Sequence, residues 1–165
     1  MTAQIGDKLY YKGHTYSMAT EPLSPYLEKN KIDISDLIKA NWSCSACWRG
    51  YIASWVIKDD KLFLVKLTGF SLSNDERNAI NALLPNEDCV FADWFTGEIR
   101  LPYGEQLEYI HQGYASIYEK DLILEIKKGL LVNTQEIDNH ERYTKYKEDK
   151  DWTRISDVLF PEDGD

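Results

Sequence analysis

Two cysteines separated by two residues are the first feature of the sequence that could do chemistry. Cys44 and Cys47 lie in NWSCSACWRGYIASW, between Trp42 and Trp48. A redox-active pair of this spacing sits where a strand enters a helix, because the helix N-terminus lowers the pKa of the first thiol. The residues after Cys47 are aromatic and β-branched, so they predict a strand, which supplies no such dipole. We therefore expect buried, structural thiols.

The same pair could supply half of a zinc site. A structural zinc ion needs four ligands, usually cysteine and histidine. The chain has one further cysteine, Cys89, and its three histidines are scattered. A site made of Cys44, Cys47, Cys89 and His111 is the alternative, but we expect neither a metal ion nor another cofactor.

Acid–base chemistry has two candidate residues. Tyrosines and carboxylates surround His111 in EYIHQGYASIYEKD, but a general base also needs a partner and a cleft. Asp93 interrupts an apolar strand in CVFADWF, and Arg100 is a natural structural partner for such a carboxylate. The sequence contains no nucleophile elbow and no glycine-rich phosphate loop. We expect no enzyme. The alternative is an enzyme or binding module that uses Asp93, His111 and aromatic residues on a small polar ligand such as a sugar.

The elements that must position these residues are mostly strands. Apolar or alternating stretches flank four turn signals and predict four hairpins, at Lys12-Gly13, 58–61, Thr96-Gly97 and Lys128-Gly129. Helices are predicted at 24–30 with Ser24 as cap, at 33–41, at 73–84 with a capping box of Ser73 and Glu76, and at 140–152. The predicted fold is therefore α+β, a mostly antiparallel β-sheet built from successive hairpins, with two to four short helices.

Length and composition predict one domain over residues 1–165, of which 158–165 form a partly flexible tail. The chain has 165 residues and 43% of them are hydrophobic, which is enough for a packed core. No apolar run is long enough to span a bilayer, and the first residues lack the pattern of a signal peptide. We expect a cytoplasmic protein.

The charge is distributed unevenly along the chain. The net charge is −9, and residues 86–121 carry eight acidic and two basic groups. Such a field repels nucleic acid and anionic membranes, so we expect neither as a partner, and it attracts a basic protein. The predicted partner-binding residues combine acids with flat aromatic anchors: Glu98, Tyr103, Glu105, Glu108, Tyr109, Tyr118, Glu119 and Asp121. The helix around Glu148, Asp149 and Asp151 is a second candidate surface.

The segment from Val90 to Val132 resembles a family of small bacterial proteins. The shared features are an F-A-D-W-F/Y-[ST]-G-E-[LI] hairpin and an H-x-G-Y-x-S-x-Y-E-x-[DY]-L segment, and the upstream CWRGYIASWVIKDDKLFLV fits the same family. In size and acidity the chain also resembles the immunity proteins of bacterial polymorphic or contact-dependent toxin systems. This resemblance implies an antitoxin that binds and neutralises a basic toxin domain, in particular a nuclease. It implies no catalytic residues.

Overall fold

The computed structural model describes residues 3–34, 46–69, 80–85, 87–110 and 113–159. The strands are β1 (Lys8–Tyr11), β2 (His14–Ser17), β3 (Tyr51–Lys58), β4 (Lys61–Gly69), β5 (Val90–Phe91), β6 (Gly97–Glu108), β7 (Ile117–Lys127) and β8 (Leu130–Asp138). The helices are α1 (Ser24–Lys29), α2 (Ile80–Leu83) and α3 (His140–Leu159). The fold is thus mostly sheet, in agreement with the α+β prediction. The predicted number of short helices concerns the whole chain and stays a prediction.

The strands form one sheet in the order β2-β1-β3-β4-β8-β7-β6, with β5 paired to β4. The sheet is mixed, because β1 runs parallel to β3 with Leu9 opposite Trp55. The other strand pairs are antiparallel. The parallel pair requires a long crossover from β2 to β3, which a scheme of consecutive hairpins does not contain. The predicted mostly antiparallel sheet agrees with this arrangement, but its construction from successive hairpins is corrected at this position.

Three of the four predicted hairpins are confirmed. They connect β1 to β2, β3 to β4 and β7 to β8. Both central residues of each turn have positive φ: Lys12 and Gly13, Asp59 and Asp60, and Lys128 and Gly129. Two-residue turns of this type match the twist of the flanking strands, so they favour hairpins.

The hairpin predicted at Thr96-Gly97 is wrong. β5 is only two residues long and pairs with β4, with Phe91 opposite Phe63. The chain then turns, because the amide of Phe95 donates to the carbonyl of Ala92 at 3.1 Å. Because of this turn, β6 does not lie beside β5. It pairs with β7.

The sheet curls until its two ends meet. The amide of Ala19, just after β2, donates to the carbonyl of Arg100 on β6 at 2.8 Å. The amide of Arg100 donates in turn to the hydroxyl of Thr20 at 3.0 Å. The inner face encloses the core, whose fully buried members include Trp55, Leu64, Ile99, Leu101 and Leu124. Burying apolar area of this kind supplies about 25 cal/mol per Å² and is the main stabilising term.

The helices differ in detail from the predictions. α1 is preceded by Leu23, and Ser24 is its first residue and not its cap. Pro25 fits there because the first turn needs no amide donor from it. The polar helix predicted near the C-terminus is confirmed as α3 and extends to Leu159. The predicted capping box at Ser73 and Glu76, most of the predicted helix at 33–41 and residues 160–165 of the predicted tail lie outside the described residues.

Candidate functional site

Most of the predicted partner-binding residues lie together at one end of the β6–β7 pair. Antiparallel pairing places Gln106 opposite Tyr118 and Tyr103 opposite Lys120. The second half of β6 and the start of β7 are thereby joined, which brings Tyr103, Glu105, Glu108 and Tyr109 close to Tyr118 and Glu119. We call these six residues the tyrosine end. Glu98 does not belong to this group. It lies opposite Glu125 and ten residues before Glu108 on β6, which separates Glu98 from Glu108 by roughly 30 Å.

Exposure separates the predicted residues further. Tyr109 is 45% exposed and Glu105 is also exposed, whereas Tyr103, Glu108, Tyr118 and Glu119 are half-buried. This end of the two strands therefore carries both carboxylates and partly exposed rings. They are divided between the two faces of the sheet, since Tyr103 lies opposite Lys120 and the Glu119 side chain faces Gly104. Acids together with aromatic rings are the combination that suits a basic protein surface.

Asp121 does not belong to this surface, although the sequence predicted it there. Its side chain is buried, 3.5 Å from the Arg100 guanidinium and 4.0 Å from that of Arg142 on α3. Arg100 also donates a short hydrogen bond to the carbonyl of Tyr114. A buried carboxylate needs such counter-charges. The carboxylate that pairs with Arg100 is therefore Asp121, whereas the sequence predicted Asp93.

Asp93 is exposed in the turn after β5, so the expected buried pair of Asp93 and Arg100 is wrong. The apolar context of Asp93 was misleading because the chain leaves the sheet at Ala92.

One carboxylate beside the tyrosine end was missed by the sequence analysis. The hydroxyl of Tyr103 donates to Glu136 of β8 at 2.5 Å, and Lys120 lies 3.2 Å from the same carboxylate. The hydrogen bond from Tyr103 lowers the pKa of Glu136, with a further contribution from Lys120. It also raises the pKa of Tyr103 to about 12. The β7–β8 hairpin was predicted, but counting from its two-residue turn pairs Glu136 with Asp121. A bulge at Val132 shifts the register, so that Glu136 lies opposite Leu122 and beside Lys120.

A small pocket of about 150 Å³ opens among the tyrosines. Tyr109, Tyr114 and Tyr118 line it together with Gln106, and Met18 closes it from the end of β2. The predicted anchors Tyr109 and Tyr118 therefore share one concave site. Phenol rings around a cavity can receive a cation over their faces or a flat polar ring between them.

A buried polar network holds one wall of this pocket. The hydroxyl of Tyr114 donates to Glu21 at 3.0 Å and lies 3.3 Å from Arg49. Arg49 donates at 2.7 Å to Asp7, which is fully buried and also accepts from the amide of Ala53. These partners hold the Tyr114 side chain in place, so this wall of the pocket is preorganised.

Burial and charge act in opposite directions on this network. Burial raises the pKa of Asp7, while the charge of Arg49 and the donors from Ala53 and Trp55 oppose that effect. Burial is the largest single influence on Arg49 and lowers its pKa, but the charges of Asp7 and Tyr114 and the hydrogen bond to Asp7 together outweigh it, so the pKa is raised. Burial likewise raises the pKa of Tyr114. The guanidinium is therefore charged at every relevant pH, and Tyr114 is a neutral phenol.

The residues of the alternative small-ligand hypothesis are not brought together in the described part of the chain. Asp93 does not line the tyrosine pocket, and His111 lies outside the described residues. Trp55 is fully buried, and Trp94 donates its indole N–H to the carbonyl of Pro22 at 2.8 Å. Trp48 is 54% exposed but contributes nothing to the pocket lining.

The cysteines take different positions. Cys47 is buried and its thiol donates to the carbonyl of Tyr51 at 3.4 Å, which agrees with a structural thiol. The strand starts at Tyr51, later than predicted, because the chain turns between Cys47 and Gly50. Cys89 is exposed, and Cys44 lies outside the described residues. Within the described ranges, no three histidine, cysteine or acidic side chains are close enough together to hold a metal ion.

The second candidate surface lies on α3. Glu148 and Asp149 are exposed there, and the side chain of Asp151 lies outside the described residues. α3 is anchored at its start, since Asn139 donates to the carbonyl of Tyr118 at 3.0 Å. None of the helices in the described ranges is both long and apolar enough to cross a membrane.

Comparison with known proteins adds no assignment. The chain matches no protein-family profile, no curated protein and no solved structure.

Proposed function

We propose that this chain is a cytoplasmic immunity protein that binds and neutralises a basic bacterial toxin domain, in particular a nuclease. It acts without catalysis, metal or cofactor, and binds neither nucleic acid nor a membrane. The observation that carries the proposal is the tyrosine end, where carboxylates flank exposed and half-buried tyrosines on two paired strands. The sequence resemblances named above point in the same direction.

The physical argument concerns what a nuclease must expose. Its active site is cationic because it binds phosphates, so a rigid acidic surface competes for the same groups. Glu105, Glu108 and Glu119 supply charge, and Glu136 adds a fourth carboxylate held by Tyr103. The tyrosines supply contact area with little rotamer entropy to lose. A cationic side chain of the toxin would enter the tyrosine pocket, which Tyr109, Tyr114 and Tyr118 line.

Co-expression tests this proposal directly. The C-terminal domain encoded immediately upstream of this chain is induced in a laboratory bacterium with and without the protein, and viable counts are compared. We expect rescue and co-purification of the two proteins. A toxic domain that is neither bound nor neutralised would refute the proposal.

Charge reversal then locates the contact. We expect Glu105→Lys with Glu108→Lys to weaken toxin binding by roughly 100-fold or more, since close charge pairs at such interfaces are worth about 1.5 kcal/mol or more each and two of them about 3 kcal/mol. The matched control is Glu87→Lys with Asp88→Lys, which makes the same charge change on exposed residues before β5. Binding should also weaken as salt is added. Equal effects of the two double variants would contradict an assignment to the tyrosine end.

A second candidate function is the binding of a small polar ligand such as a sugar. The tyrosine pocket favours it, because three tyrosines line one cavity. Its volume of about 150 Å³ is smaller than the roughly 300–1,000 Å³ of typical ligand sites, so it would admit only a small ligand or part of one. Its residues would be Tyr109, Tyr114 and Tyr118 in place of the expected Asp93. Titration with methyl glycosides, followed by tyrosine fluorescence and by NMR of the pocket residues, tests it. Saturable shifts that disappear in Tyr118→Ala would support a ligand site.

A further inference from the structure

One edge of the sheet is open along most of β8. β4 and β8 pair only between Lys61 and Leu130, after which the two strands diverge. All seven residues from 132 to 138 are exposed, including Val132 at 51% and Ile137 at 37%. No strand of the described part of the chain pairs with this side of β8. About half of its backbone N–H and C=O groups therefore face outward without a strand partner.

This edge has only part of the usual protection against pairing. Natural edge strands are protected by lysine and other charged side chains, by proline, by β-bulges or by a covering segment. β8 carries the acids Glu136 and Asp138, and it is bulged at Val132, where the register with β7 shifts. The sequence of β8, LLVNTQEID, contains neither lysine nor proline. The opposite edges of the sheet are closed, since Ala19 bonds to Arg100. β8 is thus distinguished from the other edges by both its exposure and its composition.

A groove of about 610 Å³ runs beside the first half of the open edge. Tyr11 and Ile57 line one wall, and Leu131 and Val132 line the other. An added strand would lie about 4.8 Å from β8 and would direct every second side chain toward these apolar residues. The groove therefore suits an extended segment with alternating apolar residues.

The charges on the edge favour a basic segment. The groove lining carries Asp59 and Asp60 against Lys12, and β8 adds Glu136 and Asp138 and no basic residue. Lys120 and His140 contact the last two carboxylates from β7 and from the start of α3, so they offset part of this charge.

A second copy of the chain fits the edge poorly. It would bring the same acids and a net charge of −9 to the edge. A seven-residue edge is only about 23 Å long, and pairing along it buries far less than the roughly 800 Å² per partner of a stable interface. A strand from a protein held elsewhere on the molecule needs no such area. Glu136 already contacts Tyr103, so the open edge continues directly into the tyrosine end.

We propose that β8 accepts an extended segment of the bound partner as an added strand, and that this segment alternates apolar with basic residues. The proposal rests on the proposed function in one respect: the segment belongs to the toxin held at the tyrosine end. Main-chain hydrogen bonds to residues 132–138 supply affinity, and the groove supplies the sequence preference.

The experiment uses the full chain, labelled with ¹⁵N, and a synthetic peptide as probe. The peptide has eight residues that alternate lysine and valine, with acetylated and amidated ends, and its control replaces each lysine by glutamate. We expect amide shift changes centred on residues 132–137 and the Asp59-Asp60 turn with the lysine peptide, and none with the glutamate peptide. Val132→Lys should weaken the binding of the lysine peptide at least fivefold. The control is Tyr10→Lys, which makes the same kind of change at another exposed residue (45% exposed). It should change the affinity for the lysine peptide less than twofold.

The outcomes separate this inference from the proposed function. Absence of shifts on β8 at millimolar peptide, or shifts confined to the tyrosine end, overturns the inference even if the toxin is neutralised. Shifts on β8 that grow with protein concentration and no peptide show that a second copy occupies the edge, which also overturns it. If peptide binds β8 as expected but the neighbouring domain is not neutralised, the strand site stands and the immunity function falls.

Discussion

Replacing Arg49 by methionine tests the buried network that holds the tyrosine pocket. The substitution removes the counter-charge of Asp7 while keeping an apolar chain of similar length. Arg49 is 7% exposed at its side chain, and Asp7 is fully buried. Asp7 would keep the donors from Ala53 at 3.0 Å and Trp55 at 3.2 Å but would lose the guanidinium at 2.7 Å.

Removing one partner of a buried ion pair costs about 3–5 kcal/mol, because the remaining charge is left uncompensated. In a chain of this length 1 kcal/mol corresponds to about 2–4 °C, so the midpoint of thermal unfolding should fall by roughly 6–20 °C. Arg142→Met is the matched control. It makes the same change at a residue 4.0 Å from Asp121 but 54% exposed, and it should cost less than about 1 kcal/mol.

The pH dependence identifies the cause of the loss. Without Arg49, the pKa of Asp7 in the folded protein rises further above its value in the unfolded chain. The folded state then binds a proton more tightly than the unfolded state, so stability increases as the pH falls through that raised pKa. The deficit of Arg49→Met should therefore be smaller at pH 5.5 than at pH 7.5, and adding Asp7→Asn should recover part of it at pH 7.5.

Urea unfolding followed by tryptophan fluorescence measures these differences, because Trp55 contacts Asp7 directly. A cost below about 1 kcal/mol at pH 7.5 would refute the reasoning. So would a double variant whose cost equals the sum of the two single costs, since that would show no coupling between the two side chains.

Two further predictions follow from single contacts. Because the hydrogen bond from Tyr103 lowers the pKa of Glu136 below 4.5, the contribution of this carboxylate is present above that pH and is lost as the pH falls through the lowered pKa. Tyr103→Phe should move the pKa of Glu136 back toward 4.5 in a carboxyl ¹³C NMR titration, and no movement would contradict the contact. Gly129→Ala should be more destabilising than Gly13→Ala in urea unfolding, although both glycines have φ near 80° and share a backbone strain of about 1–2 kcal/mol. A Cβ at Gly129 would lie 2.7 Å from the carbonyl oxygen of Ala92, while nothing lies within 4 Å of one at Gly13; equal costs would show that the chain around Gly129 can move aside.

The hairpins were predictable because their signals are local. A turn such as Lys128-Gly129 determines that the two strands on either side pair, and it sets their first pairs, Lys127 with Leu130 and Ile126 with Leu131. The failures involve residues that are distant in sequence. The parallel pairing of β1 with β3 and the capture of β5 by β4 depend on which strands meet in space, and no short-range pattern encodes that.

The same distinction applies to the site. Tyr103, Glu105, Tyr109 and Tyr118 were grouped because they are close in sequence and rich in charge and aromatic rings. Whether an acid points outward depends on tertiary packing, which is why Asp121 was placed on the surface and is in fact buried. The Arg49–Asp7 pair was missed altogether, because its members are 42 residues apart and lie in segments with no distinctive motif.

The closure of the sheet at Arg100 bears on how the chain is made. The amide of Arg100 on β6 donates to the hydroxyl of Thr20, 80 residues earlier in the sequence. The N-terminal hairpin of β1 and β2 is therefore synthesised long before β6, the strand that it contacts at the closure. At about 5–20 residues per second, a ribosome leaves roughly 4–16 seconds between the two segments. During that interval the outer edge of β2 is unpaired and open to other nascent chains or to chaperones. The contact that closes the sheet can therefore form only after residue 100 has been synthesised and has left the ribosome.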